Sequence, residues 1–98
     1  MNDRVSLRLS SVVREIAAAG AALDRARQRL AERRAALEES HLRMLIAETP
    51  VADLDLHLAV EEHRRLQREV ERLERILGQL RAEERGLADR LERTAREA

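Results

Sequence analysis

The sequence contains no tryptophan, tyrosine or phenylalanine, no cysteine and only one proline. Without cysteine, the chain can form neither a disulfide nor a metal site built on thiolates. Without aromatic rings, it offers no platform on which nucleic-acid bases could stack. These absences exclude the disulfide-stapled and zinc-thiolate classes of small protein.

Long apolar runs are also missing. The longest spans residues 16–23, between Glu15 and Asp24, whereas roughly 20 apolar residues are needed to cross a bilayer. Arg8 and Arg14 interrupt the apolar residues near the start of the chain, which is atypical of a secretory signal. We therefore expect a soluble, cytoplasmic chain without a membrane partner.

Charged and helix-forming residues make up most of what is present. The chain has 98 residues, of which 39% are charged, and its 19 basic residues, all arginine, balance 19 acidic ones. A composition dominated by alanine, leucine, glutamate and arginine is typical of long helices and coiled coils. The balanced charge provides no net attraction toward nucleic acid or an acidic membrane.

The single proline lies close to the middle of the chain. Proline is tolerated at the first position of a helix, where the preceding Thr49 can act as N-cap for Pro50. The sequence therefore predicts a single domain over residues 1–98. Its first helix is expected over about 4–48, a turn over about 49–53 and a second helix over about 53–96.

Apolar residues repeat every seven positions in both halves, which predicts an all-α fold, a two-helix antiparallel coiled-coil hairpin. A dimer of straightened chains is the main rival, and the turn chemistry disfavours it. We call the a and d heptad positions the seam. Its a positions are Leu9, Ile16, Leu23, Leu30, Leu37 and Met44, then Leu56, His63, Val70, Leu77, Glu84 and Leu91. Its d positions are Val5, Val12, Ala19, Ala26, Arg33, Ser40 and Ala47, then Ala59, Leu66, Leu73, Leu80, Leu87 and Thr94.

A reversal near residue 51.5 would place residues opposite each other when their numbers sum to about 103. This register predicts a polar layer of Ser40 with His63. It also predicts that the most buried large residues are Leu23, Leu30, Leu73 and Leu80. The ion pairs expected beside the seam are Arg27 with Glu74, Arg43 with Glu62, Glu15 with Arg90 and Arg8 with Glu97.

Several large aliphatic residues near the turn lie outside the seam. A lone hairpin would expose them, so we expect a contact surface for self-association or partner docking, unless the helix ends twist to close over them. These residues are Leu42, Leu45, Ile46, Leu54, Leu58 and Val60.

The outer face of the first helix carries a stripe of small and then large residues: Ala17, Ala21, Ala31, Ala35, Leu42 and Leu45. Small side chains allow helices to approach closely, which favours a homodimer in which first helices face each other in a four-helix bundle. The alternative interpretation is that alanine is present as the best helix former.

The far end of the hairpin carries features that weaken packing. Arg33 and Glu84 occupy seam positions, and Gly20, Gly78 and Gly86 lower helix propensity. Fraying of this end is the simplest interpretation, and a region that opens for a partner is the functional one.

No residue pattern indicates catalysis, a cofactor or a metal. The three histidines do not converge, and the chain has no glycine-rich phosphate loop and no cysteine nucleophile. The sequence therefore predicts a non-enzymatic coiled-coil module that binds protein, including a second copy of itself. A nucleic-acid-binding hairpin arm is the alternative. It would use the arginines near residues 25–34 and 64–75, although interleaved glutamates favour a solvated face.

Overall fold

The computed structural model describes residues 3–97 and shows two long helices packed antiparallel as a hairpin. Helix α1 spans Asp3–Ala47 and helix α2 spans Pro50–Glu97, and these residues include no strand. The predicted all-α hairpin is thus confirmed; the outermost residues of the predicted domain, 1, 2 and 98, lie outside the described residues. Neither helix contains a segment apolar and long enough to cross a membrane.

The turn consists of two residues, which is shorter than the predicted 49–53. Glu48 adopts a left-handed backbone with φ of 49°, and its N–H donates to the carbonyl of Met44 at 2.9 Å. This geometry is the αL type of helix C-cap, which usually uses glycine. The sequence contains no glycine here, yet α1 ends within one residue of its predicted end. The turn is shorter than predicted because α2 begins at Pro50 instead of about residue 53.

The start of α2 follows the predicted capping chemistry. The Ala52 N–H donates to the Thr49 hydroxyl at 3.1 Å, and the Asp53 N–H donates to the Thr49 carbonyl at 3.0 Å. Pro50 is the first helical residue, where its missing donor removes no helical hydrogen bond. Thr49 therefore caps the second helix as expected.

The shorter turn changes which residues face each other. Its centre lies between Glu48 and Thr49, so facing residues have numbers that sum to about 97 rather than 103. The nearest register that still pairs a positions with d positions is one heptad lower than predicted, and in it the numbers of facing residues sum to about 96. The seam therefore keeps its members but exchanges their partners.

Two ion pairs join the helices at lower registers than predicted: the residue numbers of Arg33 and Glu62 sum to 95, close to the shifted register, and those of Arg8 and Glu83 sum to 91, lower still. Arg8 binds Glu83 through two hydrogen bonds of 2.7 and 2.8 Å, and not Glu97 as predicted. Glu62 pairs with Arg33 at 3.0 Å instead of Arg43. Glu15 forms an ion pair with Arg8 on its own helix at 3.3 Å instead of with Arg90. These three predicted pairs are wrong because the chain reverses about three residues earlier than the prediction assumed.

Burial follows the predicted seam closely. All a and d positions are at least partly buried except Arg33, Ala47 and Thr94. The prediction of the most buried large residues is only half correct, because Leu23 and Leu73 are buried whereas Leu30 and Leu80 are partly exposed. Val12 has no exposed surface at all. Two helices can enclose a short branched side chain more completely than a long one, since they leave the sides of the seam open to water.

The chain forms two compact units. The turn unit is Leu23–Arg72, and the terminal unit combines residues 3–22 with residues 73–97. The buried core residues of the turn unit are Leu23, Ala26, Val70 and the polar Ser40. Those of the terminal unit are Val12, Leu73, Leu77 and Leu87.

Candidate interaction surface

Six large aliphatic side chains in the turn unit are exposed to solvent, with 58 to 84% of their surface accessible. We call them the tip cluster: Leu42, Leu45, Ile46, Val51, Leu54 and Leu58. Elsewhere in the described chain, the exposed large hydrophobic residues are Leu7 at 70% and Val13 at 49%. The helix ends therefore do not twist to cover these residues, and the closed-tip alternative is wrong.

Two details differ from the predicted set. Val60 is partly buried, because it occupies the e position, which flanks the seam. Val51 belongs to the cluster with 70% exposure, and sequence reasoning missed it by assigning it to the turn. Its signal was its spacing from Leu54 and Leu58, which places all three on one face of α2.

The alanine stripe is exposed as well. Ala17 and Ala21 lie in the terminal unit, whereas Ala31 and Ala35 lie in the turn unit, and all four face solvent. Their exposure agrees with an outer helix face. It does not distinguish a packing surface from ordinary helix-forming residues, so the predicted contact between first helices stays a prediction.

A groove of about 260 Å³ lies beside the turn, between the two helices. Its apolar residues are two exposed side chains, Ile46 and Val51, and two small ones, Ala47 and Ala52. The shifted register produces this pairing of small residues, because Ala52 then lies near the end of α1. The full lining is Ser40, Arg43, Ile46, Ala47, Thr49, Val51, Ala52 and Asp55.

The groove lies on one flank of the hairpin. Arg43 and Asp55 occupy the g positions of their helices, and Ile46 and Val51 occupy the c positions beside them. Leu45 precedes Ile46 in the chain, but a helix rotates about 100° per residue. Leu45 therefore lies at a b position on the other flank, and it does not line the groove.

Opposite charges stand on the two sides of the groove. The Arg43 guanidinium contacts its own helix, at 3.2 Å from the Glu39 carboxylate and 3.4 Å from the Ser40 hydroxyl. Asp55 makes no ion pair or side-chain hydrogen bond within residues 3–97. The groove thus combines an apolar floor with one cation held on α1 and one uncompensated carboxylate on α2.

The predicted polar layer of Ser40 with His63 is not formed. Ser40 is buried and accepts from Arg43, while the buried Nε2 of His63 has no hydrogen-bond partner. In the shifted register, His63 lies opposite Arg33 instead of Ser40. Among the described residues, no group of three histidine or acidic side chains is arranged to hold a metal ion.

Several arginines of the two predicted clusters are paired with acids. Arg64 contacts Glu61 at 3.5 Å, and Arg33 contacts Glu62 at 3.0 Å. Arg72 binds Glu69 through two hydrogen bonds of 2.7 and 3.0 Å, and this bonding lowers the pKa of Glu69. These arginines compensate neighbouring carboxylates on the same face, so they do not form an uninterrupted basic surface.

Comparison of the chain with protein-family models, curated proteins and solved structures found no match. Functional inference therefore starts from the chain's own residues.

Proposed function

We propose that this protein is a non-enzymatic coiled-coil interaction module that self-associates and binds protein through the tip cluster. The observation that supports this most is the exposure of six large aliphatic side chains within residues 42–58. So many exposed large aliphatic residues within one short part of a chain are uncommon on a protein that works alone, and exposed apolar surface marks interaction sites.

Burial energies support the proposal. Complete burial of one leucine or isoleucine contributes about 1.5 to 3 kcal/mol, whereas an exposed ion pair contributes about 0.2 to 1 kcal/mol. The six side chains each have more than half of their surface exposed. Their burial on association would therefore contribute more binding energy than exposed ion pairs at the edge of the contact. Because association itself costs several kcal/mol, a few of these residues must be buried together.

The experiment compares wild-type protein with an Ile46→Glu, Leu58→Glu double variant. We expect wild-type protein to scatter light at micromolar concentration as a species of about twice the 11.2 kDa chain mass. We expect the double variant to scatter at the single-chain mass, since a buried carboxylate would be strongly unfavourable. Circular dichroism should show unchanged helicity, because both side chains lie outside the seam.

Leu7→Glu provides the matched control. Leu7 is an equally exposed aliphatic residue at an outer position of the terminal unit, and its replacement should leave association unchanged. A wild-type mass near 11.2 kDa would contradict the proposed self-association. Loss of association in Leu7→Glu but not in the double variant would place the contact away from the tip cluster.

A further inference from the structure

We propose that the occupant of the groove beside the turn is a second copy of this chain, bound about a two-fold axis that runs along the groove. This inference rests on the proposed self-association and specifies its geometry. It commits to one flank of the hairpin, the flank that carries Ile46, Val51, Arg43 and Asp55.

The shape of the groove fits a second copy. A two-fold contact uses the same patch on both chains, so the patch must be complementary to itself. The groove contains both of the necessary elements, because Ile46 is 84% exposed and can serve as a knob. The small side chains of Ala47 and Ala52 leave the adjoining space. Ile46 of each copy can thus fill the space beside these alanines in the other.

The charges decide the direction of the axis. The residue numbers of Arg43 and Asp55 sum to 98, close to the 97 expected for residues that face each other about the centre of the turn. The two residues therefore lie at the same level on opposite helices. A two-fold axis along the groove exchanges the α1 side with the α2 side. Arg43 then meets Asp55 of the second copy, and the same pair forms twice. An axis across the groove would instead bring each Arg43 toward the other, and like charges oppose association.

The axis also orders the helices. With the axis along the groove, both turns lie at the same end of the dimer, and α1 of one copy lies beside α2 of the other. This arrangement differs from the predicted one, in which first helices face each other through Ala17, Ala21, Ala31 and Ala35. It leaves Leu45 outside the contact, because Leu45 lies on the opposite flank of α1.

Charge reversal tests the contact. Arg43→Asp and Asp55→Arg each place two like-charged pairs in the proposed interface, and we expect each to raise the dimer dissociation constant about tenfold or more. The chain that carries both substitutions restores two opposite-charge pairs, so its dissociation constant should return to near the wild-type value. Analytical ultracentrifugation measures all four proteins, and circular dichroism checks their helicity.

Mixing the doubly substituted chain with wild-type protein separates pairing between copies from pairing within one chain. A mixed dimer would contain one Asp–Asp and one Arg–Arg pair, so fluorescently labelled chains should sort into the two homodimers. Free formation of mixed dimers, measured by energy transfer between labels, would overturn the proposed axis while leaving self-association intact. A wild-type protein that stays single-chain at all concentrations would overturn both proposals.

The neighbouring residues Ile46 and Leu45 provide a second discriminating pair. Ile46→Glu should abolish association, whereas Leu45→Glu should leave the dissociation constant within about twofold of wild type, since Leu45 faces the other flank. The reverse result would place the contact on the flank of Leu45 and would overturn the inference.

Discussion

The terminal unit and the turn unit use their aliphatic residues differently. The buried hydrophobic residues of the terminal unit include three leucines, Leu73, Leu77 and Leu87, whereas the turn unit buries one leucine, Leu23, together with Ala26, Val70 and Ser40. The turn unit instead exposes the six residues of the tip cluster. In the terminal unit, most large aliphatic residues serve the fold and only Leu7 and Val13 are exposed among those described, whereas in the turn unit many remain available for another surface.

The same comparison revises the expectation about stability along the hairpin. The sequence predicted a weaker far end because of Arg33, Glu84 and three glycines. Arg33 instead belongs to the turn unit, where it is exposed and binds Glu62. All three glycines do belong to the terminal unit, but so does the completely buried Val12. We therefore expect seam packing there to offset the poor helix propensity of the glycines.

The largest expected effect is the loss of a buried leucine from the terminal unit. Leu73 is 8% exposed, so Leu73→Ala should lower the free energy of unfolding by about 2 to 5 kcal/mol through lost burial and a cavity. Urea denaturation followed by circular dichroism measures this change. Arg75→Ala on the exposed face is the control and should change stability by less than about 0.5 kcal/mol. A larger loss for the arginine variant would contradict the assigned seam.

The turn unit depends on its helix cap. Thr49→Ala removes the hydroxyl that accepts from the Ala52 N–H and should lower the free energy of unfolding by about 1 kcal/mol. Thr49→Ser is the matched control, since it keeps an accepting hydroxyl and should stay within a few tenths of a kcal/mol. Equal losses in the two variants would mean that the hydroxyl does not stabilise α2.

The helices of the terminal unit can be strengthened at their glycines. A methyl group added at Gly78 or Gly86 meets no atom within 4 Å, and alanine favours a helix over glycine by about 0.8 to 1 kcal/mol. Gly78→Ala and Gly86→Ala should therefore each raise the free energy of unfolding by somewhat less than 1 kcal/mol, measured by thermal melting. A loss of stability would show that these positions require glycine for contacts outside the single chain.

The smallest expected effect tests the ion pair of Arg8 with Glu83 through pH. The hydrogen bond from Arg8 lowers the pKa of Glu83, so the folded chain favours the charged carboxylate. This contribution to stability is complete above the ordinary glutamate pKa and is lost as pH falls through the lowered one. Glu83→Gln should therefore reduce stability slightly at pH 7 and low salt, with a smaller difference in acid.

Glu97→Gln is the control for that measurement, because Glu97 is the partner that the sequence predicted for Arg8. Its replacement should have no effect on stability at either pH. A pH-dependent loss in Glu97→Gln, with none in Glu83→Gln, would restore the predicted pair of Arg8 with Glu97 and contradict the observed pair of Arg8 with Glu83.

Several features of the candidate surface followed from the sequence. Leu42, Leu45, Ile46, Leu54 and Leu58 fall outside the heptad seam, and all five are exposed as predicted. The groove could not be predicted, because it requires Ala47 and Ala52 to meet across a turn of known length. Val51 was missed for the same reason, since only a helix that begins at Pro50 places it beside Leu54 and Leu58.

The sequence by itself determined the two helices, the cap at Thr49 and the residues of the seam, because these depend on local propensity and on a seven-residue repeat. The register was decided by tertiary structure alone. A heptad repeat looks the same after a shift of seven residues, so seam positions meet seam positions in either alignment and burial scarcely distinguishes them. The left-handed backbone of Glu48 ended α1 without a glycine, and α2 began directly at Pro50. The resulting turn is too short for the predicted alignment, and Arg8 binds Glu83 instead of Glu97.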